Sequence, residues 1–162
     1  MSTLLIGGDS RLAQPLKKLI KDNISTTRRA SGVSDNNILL DLKYPEEFKP
    51  PDEVEAALII GGPTSYADST QNKSIVEDIH GIKIPLLLNI LLSRDIYTIY
   101  ISTNMVFGDK CIQRAESSNT KPSIEYGRFK NLCEMRCQEI AEKANKEKIF
   151  SIARLTKNLS VN

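Results

Sequence analysis

Six short apolar runs, at residues 4–6, 24–27, 38–40, 56–60, 97–101 and 149–153, alternate along the chain with helical or polar sequence. Runs of this length, rich in Ile and Leu and without sustained polar alternation, are the pattern of strands buried on both faces of a parallel sheet. Helices must then cover those faces. Leu12, Leu16, Leu19 and Ile20 repeat at helical spacing behind the first run, and residues 132–148 are rich in helix formers ahead of the last. Both ends of the chain therefore read as βαβ units.

The middle is joined differently. Residues 28–36 are polar and turn-rich, and residues 44–52 carry three prolines, which discourage a regular helix. Residues 73–95 are helical in pattern but interrupted by Gly81 and Pro85, so a kink is expected, or two pieces with the second starting near Pro85. Residues 108–125 are polar and read as a mobile loop. With no internal repeat or low-complexity tract, the expectation is a single α/β domain over residues 1–162. Its form is a Rossmann-type, doubly wound parallel sheet of strand order 3-2-1-4-5-6.

Composition changes this picture little. A chain of 162 residues, 40% hydrophobic and 26% charged, is ordinary for one globular domain. A net charge of +2, from 22 basic and 20 acidic residues, carries no nucleic-acid or membrane footprint. Cys111, Cys133 and Cys137 lack the paired spacing of a zinc site or disulfide framework, so no metal is expected. Cys133 and Cys137, four apart on a predicted helix, read as small buried side chains rather than redox groups. The first residues lack a signal-peptide pattern and no apolar run reaches membrane-spanning length, so a cytoplasmic location is expected.

Candidate chemistry begins at the first turn. Gly7-Gly8-Asp9-Ser10-Arg11-Leu12-Ala13 follows a strand and opens a helix, the arrangement in which unpaired backbone amides receive a pyrophosphate. Ser10 and Ala13 stand where a full fingerprint has glycine. Ser10 can still donate a hydroxyl and Ala13 is small enough for close packing, so phosphate binding is preferred to a plain tight turn. Arg28-Arg29 end the second strand, where an acid would grip the ribose 2′-hydroxyl of NAD. Two guanidinium groups match a 2′-phosphate instead, selecting NADP with NAD as the alternative, unless they are a solvated basic pair. Asp41-Leu42 would border the adenine, and Gly61-Gly62 would let backbone approach the cofactor or simply shape a loop.

Tyr126-Gly-Arg-Phe-Lys130 lies farther on, its tyrosine 24 residues after Ser102. Tyr126 and Lys130 share one helical face, so the ammonium can favour an ionised phenol that exchanges a proton with a carbonyl or alcohol. A solvated helical pair is the plainer reading. The order of glycine turn, basic pair, Ser-Thr and Tyr-Lys points to hydride-transfer chemistry.

In that order the chain resembles the extended short-chain dehydrogenase/reductases, and among them the dTDP-4-dehydrorhamnose reductase-like, sugar-nucleotide-binding branch. Ile101-Ser-Thr-Asn-Met-Val-Phe-Gly108 is similar to the branch's fifth-strand motif. Pro122, Tyr126, Gly127, Lys130 and Glu134 fall where the branch has its proline, YGxxK and following acid. Thr26-Thr-Arg-Arg29 and Ile152-Ala-Arg-Leu-Thr-Lys157 also look like it. The likeness is strong over residues 97–135 and loose over 60–95.

The resemblance implies a general acid at Tyr126, and a Lys130 that lowers its pKa while holding the nicotinamide ribose. It implies Thr103, with Ser102 as the alternative, as the donor to the substrate carbonyl. The implied activity is NADPH-dependent reduction of a carbonyl in a nucleotide-sugar-like small molecule. The rival reading is a noncatalytic NADP-binding or regulatory module acting with a partner chain. Two departures stand out. The asparagine that family members carry about 22 residues before the Ser-Thr pair falls at or near His80, either a substitute in the proton relay or an inconsequential surface histidine. Family enzymes also continue past the sixth strand into a substrate region, whereas this chain stops at Asn162. Closure of the site would then fall to residues 108–125, a homodimer mate or a partner chain.

Overall fold

The computed structural model describes residues 2–63, 72–108 and 115–156. Six strands form one sheet: β1 (Ser2–Ile6), β2 (Asn23–Thr27), β3 (Asn37–Leu39), β4 (Val54–Ile59), β5 (Tyr97–Thr103) and β6 (Phe150–Leu155). Their order is β3-β2-β1-β4-β5-β6, every pairing is parallel, and Leu4 of β1 lies between Ile24 and Ala57. This is the expected Rossmann-type topology. The order reverses between β1 and β4, so the loops leaving these two strands diverge and open a crevice at their carboxyl ends. β5 runs two residues beyond its apolar run, carrying Ser102 and Thr103 into the ladder opposite Arg154 and Leu155.

Alternation along the strands sorts side chains into two packing layers. Leu4, Ile6, Ala57, Ile59 and Tyr100 face one side, packed with Leu87, Leu88 and Leu91 of α3 (Ile84–Ser93) and Cys133 and Cys137 of α4 (Glu125–Lys143). Leu5 and Ile60 face the other, against Ala13 of α1 (Ala13–Leu19), with Leu12 and Leu16 packed alongside. Both cysteines are completely buried, as their spacing implied. Leu19, by contrast, ends α1 exposed.

The interruption expected at Gly81 and Pro85 takes a specific form. A short helix, α2 (Lys73–Asp78), passes into a π-helical segment, Ile79–Lys83, and then directly into α3 with Pro85 in its first turn. Proline has no N–H for a helical bond, and widening the preceding turn accommodates that. The segment carries His80 inward, where it is fully buried, so the surface-histidine reading is corrected. Helix α4 starts at Glu125, seven residues before the tract rich in helix formers, so Tyr126 and Lys130 sit on its first turns. Cys111, Lys157 and part of the 108–125 loop lie outside the described residues. Among the described residues, no helix is long and apolar enough to cross a membrane.

Candidate functional site

Thr26, near the end of β2, holds the glycine turn in place. Thr26 Oγ1 accepts the Gly7 N–H at 3.0 Å and the Thr26 carbonyl accepts the Gly8 N–H at 2.9 Å. Gly7 has φ +93°, and a Cβ there would lie 2.5 Å from the Gly61 Cα. Glycine is thus required on both counts, and the β1 and β4 turns meet backbone to backbone at the crevice floor. Ser10 Oγ accepts the Ala13 N–H at 3.2 Å, tying the turn to α1 while leaving its own proton free for a ligand. Fully buried Ala13 packs against β1, the close contact its small size was expected to permit.

Beside this turn lies a cleft of about 610 Å³. Gly7 and Ser10 line it together with Arg28, Arg29, Asp41, Leu42, Gly61 and Gly62, so the sequence candidates for the adenosine half of a dinucleotide share one cavity. Gly8, Arg11 and Leu12 do not line it. Gly8 is buried under β2, Arg11 is exposed, and Leu12 packs with the α1 layer. The N–H groups of Arg11 and Leu12 have no partner among the described residues, and neither guanidinium of Arg28-Arg29 forms an ion pair there. Free amides, free guanidinium groups and a glycine-floored crevice match the donors a nucleotide diphosphate needs.

The second set of candidates gathers around β5 and α4. Lys130 is buried, its ammonium donating to the Ile101 carbonyl at 2.7 Å and lying 4.2 Å over the Tyr100 ring. Burial pushes Lys130 down to about 8. Tyr126 is half-buried, and burial pushes its phenol up rather than down. The Lys130 ammonium, expected to lower that phenol, is directed to β5 instead. Thr103 Oγ1 accepts the Met105 N–H at 3.3 Å and caps the 3₁₀ turn Asn104–Phe107, whereas Ser102 Oγ is buried without a partner among the described residues. Gly127 fits because a Cβ there would press to 2.5 Å from the Met105 carbonyl.

Several residues at the site escaped sequence reasoning. Thr26 and Thr27 were visible only as part of a family-like string, although buried hydroxyl residues in a buried strand are a signal of backbone bracing. Tyr100, completely buried with its hydroxyl unpartnered, lies beneath the Lys130 ammonium. His80 Nε2 stands 3.2 Å from the Pro63 carbonyl, linking the β4 loop to the helix layer. The Cys133 thiol is fully buried beside Cys137, the two sulfurs 3.9 Å apart.

The same fold recurs in solved enzymes. MoeE5 in complex with UDP-glucose and NAD matches with a TM-score of 0.77 at 16% identity, over 96% of this chain and 54% of its own. UDP-glucose 4-epimerase from Thermotoga maritima, with UDP-glucose, matches at 0.73 and 18%, over 95% and 55%. L-threonine dehydrogenase from Phytophthora infestans matches at 0.73 and 17%, over 95% and 53%. The chain therefore spans about half the length of each. At these identities the likeness is one of fold, and it spans sugar-nucleotide and amino-acid enzymes alike. No family model and no curated protein sequence matches the chain.

Proposed function

We propose that this chain is a short-chain dehydrogenase/reductase-type oxidoreductase of the sugar-nucleotide-binding branch, binding NADP(H) and reducing a carbonyl of a nucleotide-sugar-like substrate. The observation that carries this reading is the cleft that joins Gly7 and Ser10 to Arg28, Arg29 and Gly61 at the sheet's switch point. The solved neighbours support it, because MoeE5 holds a UDP-sugar together with NAD.

A bound nicotinamide supplies the hydride for such a reduction. The chain's own residues supply the rest. Tyr126, its phenol pushed up by partial burial, donates the proton that the substrate oxygen takes up. Ser102 and Thr103, ending β5, provide hydroxyl donors where negative charge develops. Lys130 anchors the first turns of α4 to Ile101 and places a cation beside that strand end.

One observation keeps the rival class open. The Lys130 ammonium is engaged by Ile101 and Tyr100, an arrangement equally suited to a noncatalytic NADP-binding module. Fluorescence titration with NADPH, followed by turnover of nucleotide-ketosugars with wild type and Tyr126→Phe, separates the readings. The enzyme reading expects binding in both proteins and turnover in wild type alone. Binding without turnover in wild type gives the module, and no binding in either rejects both.

A further inference from the structure

The acid that a ribose-binding site needs is missing from the end of β2 in the sequence, yet the fold delivers one from elsewhere. Asp9 reaches from the glycine turn to that strand end, where its Oδ2 accepts the Thr27 hydroxyl at 2.9 Å. Thr27 is buried and its Oγ1 also accepts the Arg29 N–H at 3.1 Å, so the carboxylate is tied to the backbone that presents the arginines. Asp9 Oδ1 has no partner among the described residues. Asp9, Arg28 and Arg29 line the same cleft without an ion pair between them.

These groups make opposite demands on the adenosine ribose. A carboxylate oxygen with spare lone pairs accepts from a free 2′-hydroxyl but repels a 2′-phosphate, whereas the guanidinium groups attract the phosphate and gain little from the hydroxyl. We infer that Asp9 is the specificity-determining residue of this pocket, holding NAD in contention against the pull of Arg28 and Arg29 toward NADP. The inference rests on the dinucleotide-binding reading above and refines it. The pocket accepts both cofactors, and the carboxylate sets their ratio.

The test is equilibrium binding of NADH and NADPH, in parallel, to wild type, Asp9→Asn and the double variant Arg28→Ala, Arg29→Ala. Asparagine keeps a carbonyl oxygen for the Thr27 hydroxyl, so the turn retains its anchor while losing the charge. Removing one charge from the cleft that would hold the 2′-phosphate is expected to shift the affinity ratio toward NADPH by about tenfold, mostly by tightening NADPH. The arginine variant is expected to shift it the other way by a similar factor. A shift under about threefold in Asp9→Asn, with both dinucleotides still bound, overturns the role of Asp9 and leaves the dinucleotide site standing. Failure of wild type to bind either dinucleotide removes both. Thermal unfolding of Asp9→Asn at the wild-type midpoint is the accompanying readout that the turn is intact.

Discussion

The Lys130 ammonium donates to the Ile101 carbonyl at 2.7 Å, pinning the start of α4 to the strand end that presents Ser102 and Thr103. The bond fixes the spacing between the helix that bears Tyr126 and the strand that bears the hydroxyl donors. It also buries a cation, with a cost that depends on pH.

Burial lowers Lys130 to about 8, against about 10.4 in an unfolded chain. Below pH 8 both states are protonated and the folded state carries the full penalty of a buried charge. As pH rises from about 8, the folded state releases its proton first, the unfolded state binds more protons, and stability increases toward pH 10. The expected gain is on the order of 3 kcal/mol, with the cleanest window at about pH 8 to 9.5, before tyrosines of the unfolded chain ionise. Urea denaturation across that window should show a rise in wild type and a flatter profile in Lys130→Met. Parallel profiles would contradict the buried-cation assignment.

Tyr126 should titrate late. Its phenol is raised by burial, so in the protein without cofactor the ultraviolet difference between wild type and Tyr126→Phe should develop above the ordinary tyrosine range near 10. A neutral phenol at pH 7 is a proton donor, which suits reduction. Titration of this residue below about pH 9 would mean instead that Lys130 is acting on it directly.

At Gly7 the constraint is steric and conformational together. A methyl group there would meet the Gly61 backbone at 2.5 Å while the residue is held at φ +93°. Gly7→Ala is therefore expected to cost about 3 kcal/mol in chemical denaturation and to abolish NADPH binding. Wild-type stability in this variant would show that the two turns are not locked together.

The fold was legible because each strand is a short apolar run, and burial on both faces of a parallel sheet demands such runs. All six runs correspond to strands, with the topology expected of them. The linkers were harder. Gly81 and Pro85 announced an interruption, but a π-helical segment and a break leave the same local signature, and only tertiary packing turns His80 inward. At the site, the glycine turn and Arg28-Arg29 could be read because strand-turn-helix spacing carries their positions. Asp9 could not, since its contact with Thr27 joins residues 18 apart across two strands. The surroundings of Lys130 were hidden for a related reason. Helical spacing places Lys130 on the same face but does not reveal that Ile101 and Tyr100 compete for its ammonium.

A last prediction concerns the sheet edge. Arg154 on β6 meets Glu134 on α4 through two nitrogens, with Nη2 2.8 Å and Nε 3.1 Å from Oε2, and Nη1 continues to the Glu116 carbonyl at 2.8 Å. The Glu134 side chain is 2% exposed and that of Arg154 20%, so the pair is nearly desolvated. Its guanidinium also lies 4.8 Å over the Phe107 ring, which ties together β6, α4 and the turn after β5. Breaking such a pair from one side strands a buried charge. Arg154→Met is therefore expected to lose about 3 to 5 kcal/mol, whereas Arg154→Met combined with Glu134→Leu should recover much of that loss. Because β6 is paired only to β5 among the described residues, the single variant should also expose the β6 amides to faster hydrogen exchange before global unfolding. Equal stability of the single and double variants would show that the pair contributes by packing alone, with no penalty from the orphaned carboxylate.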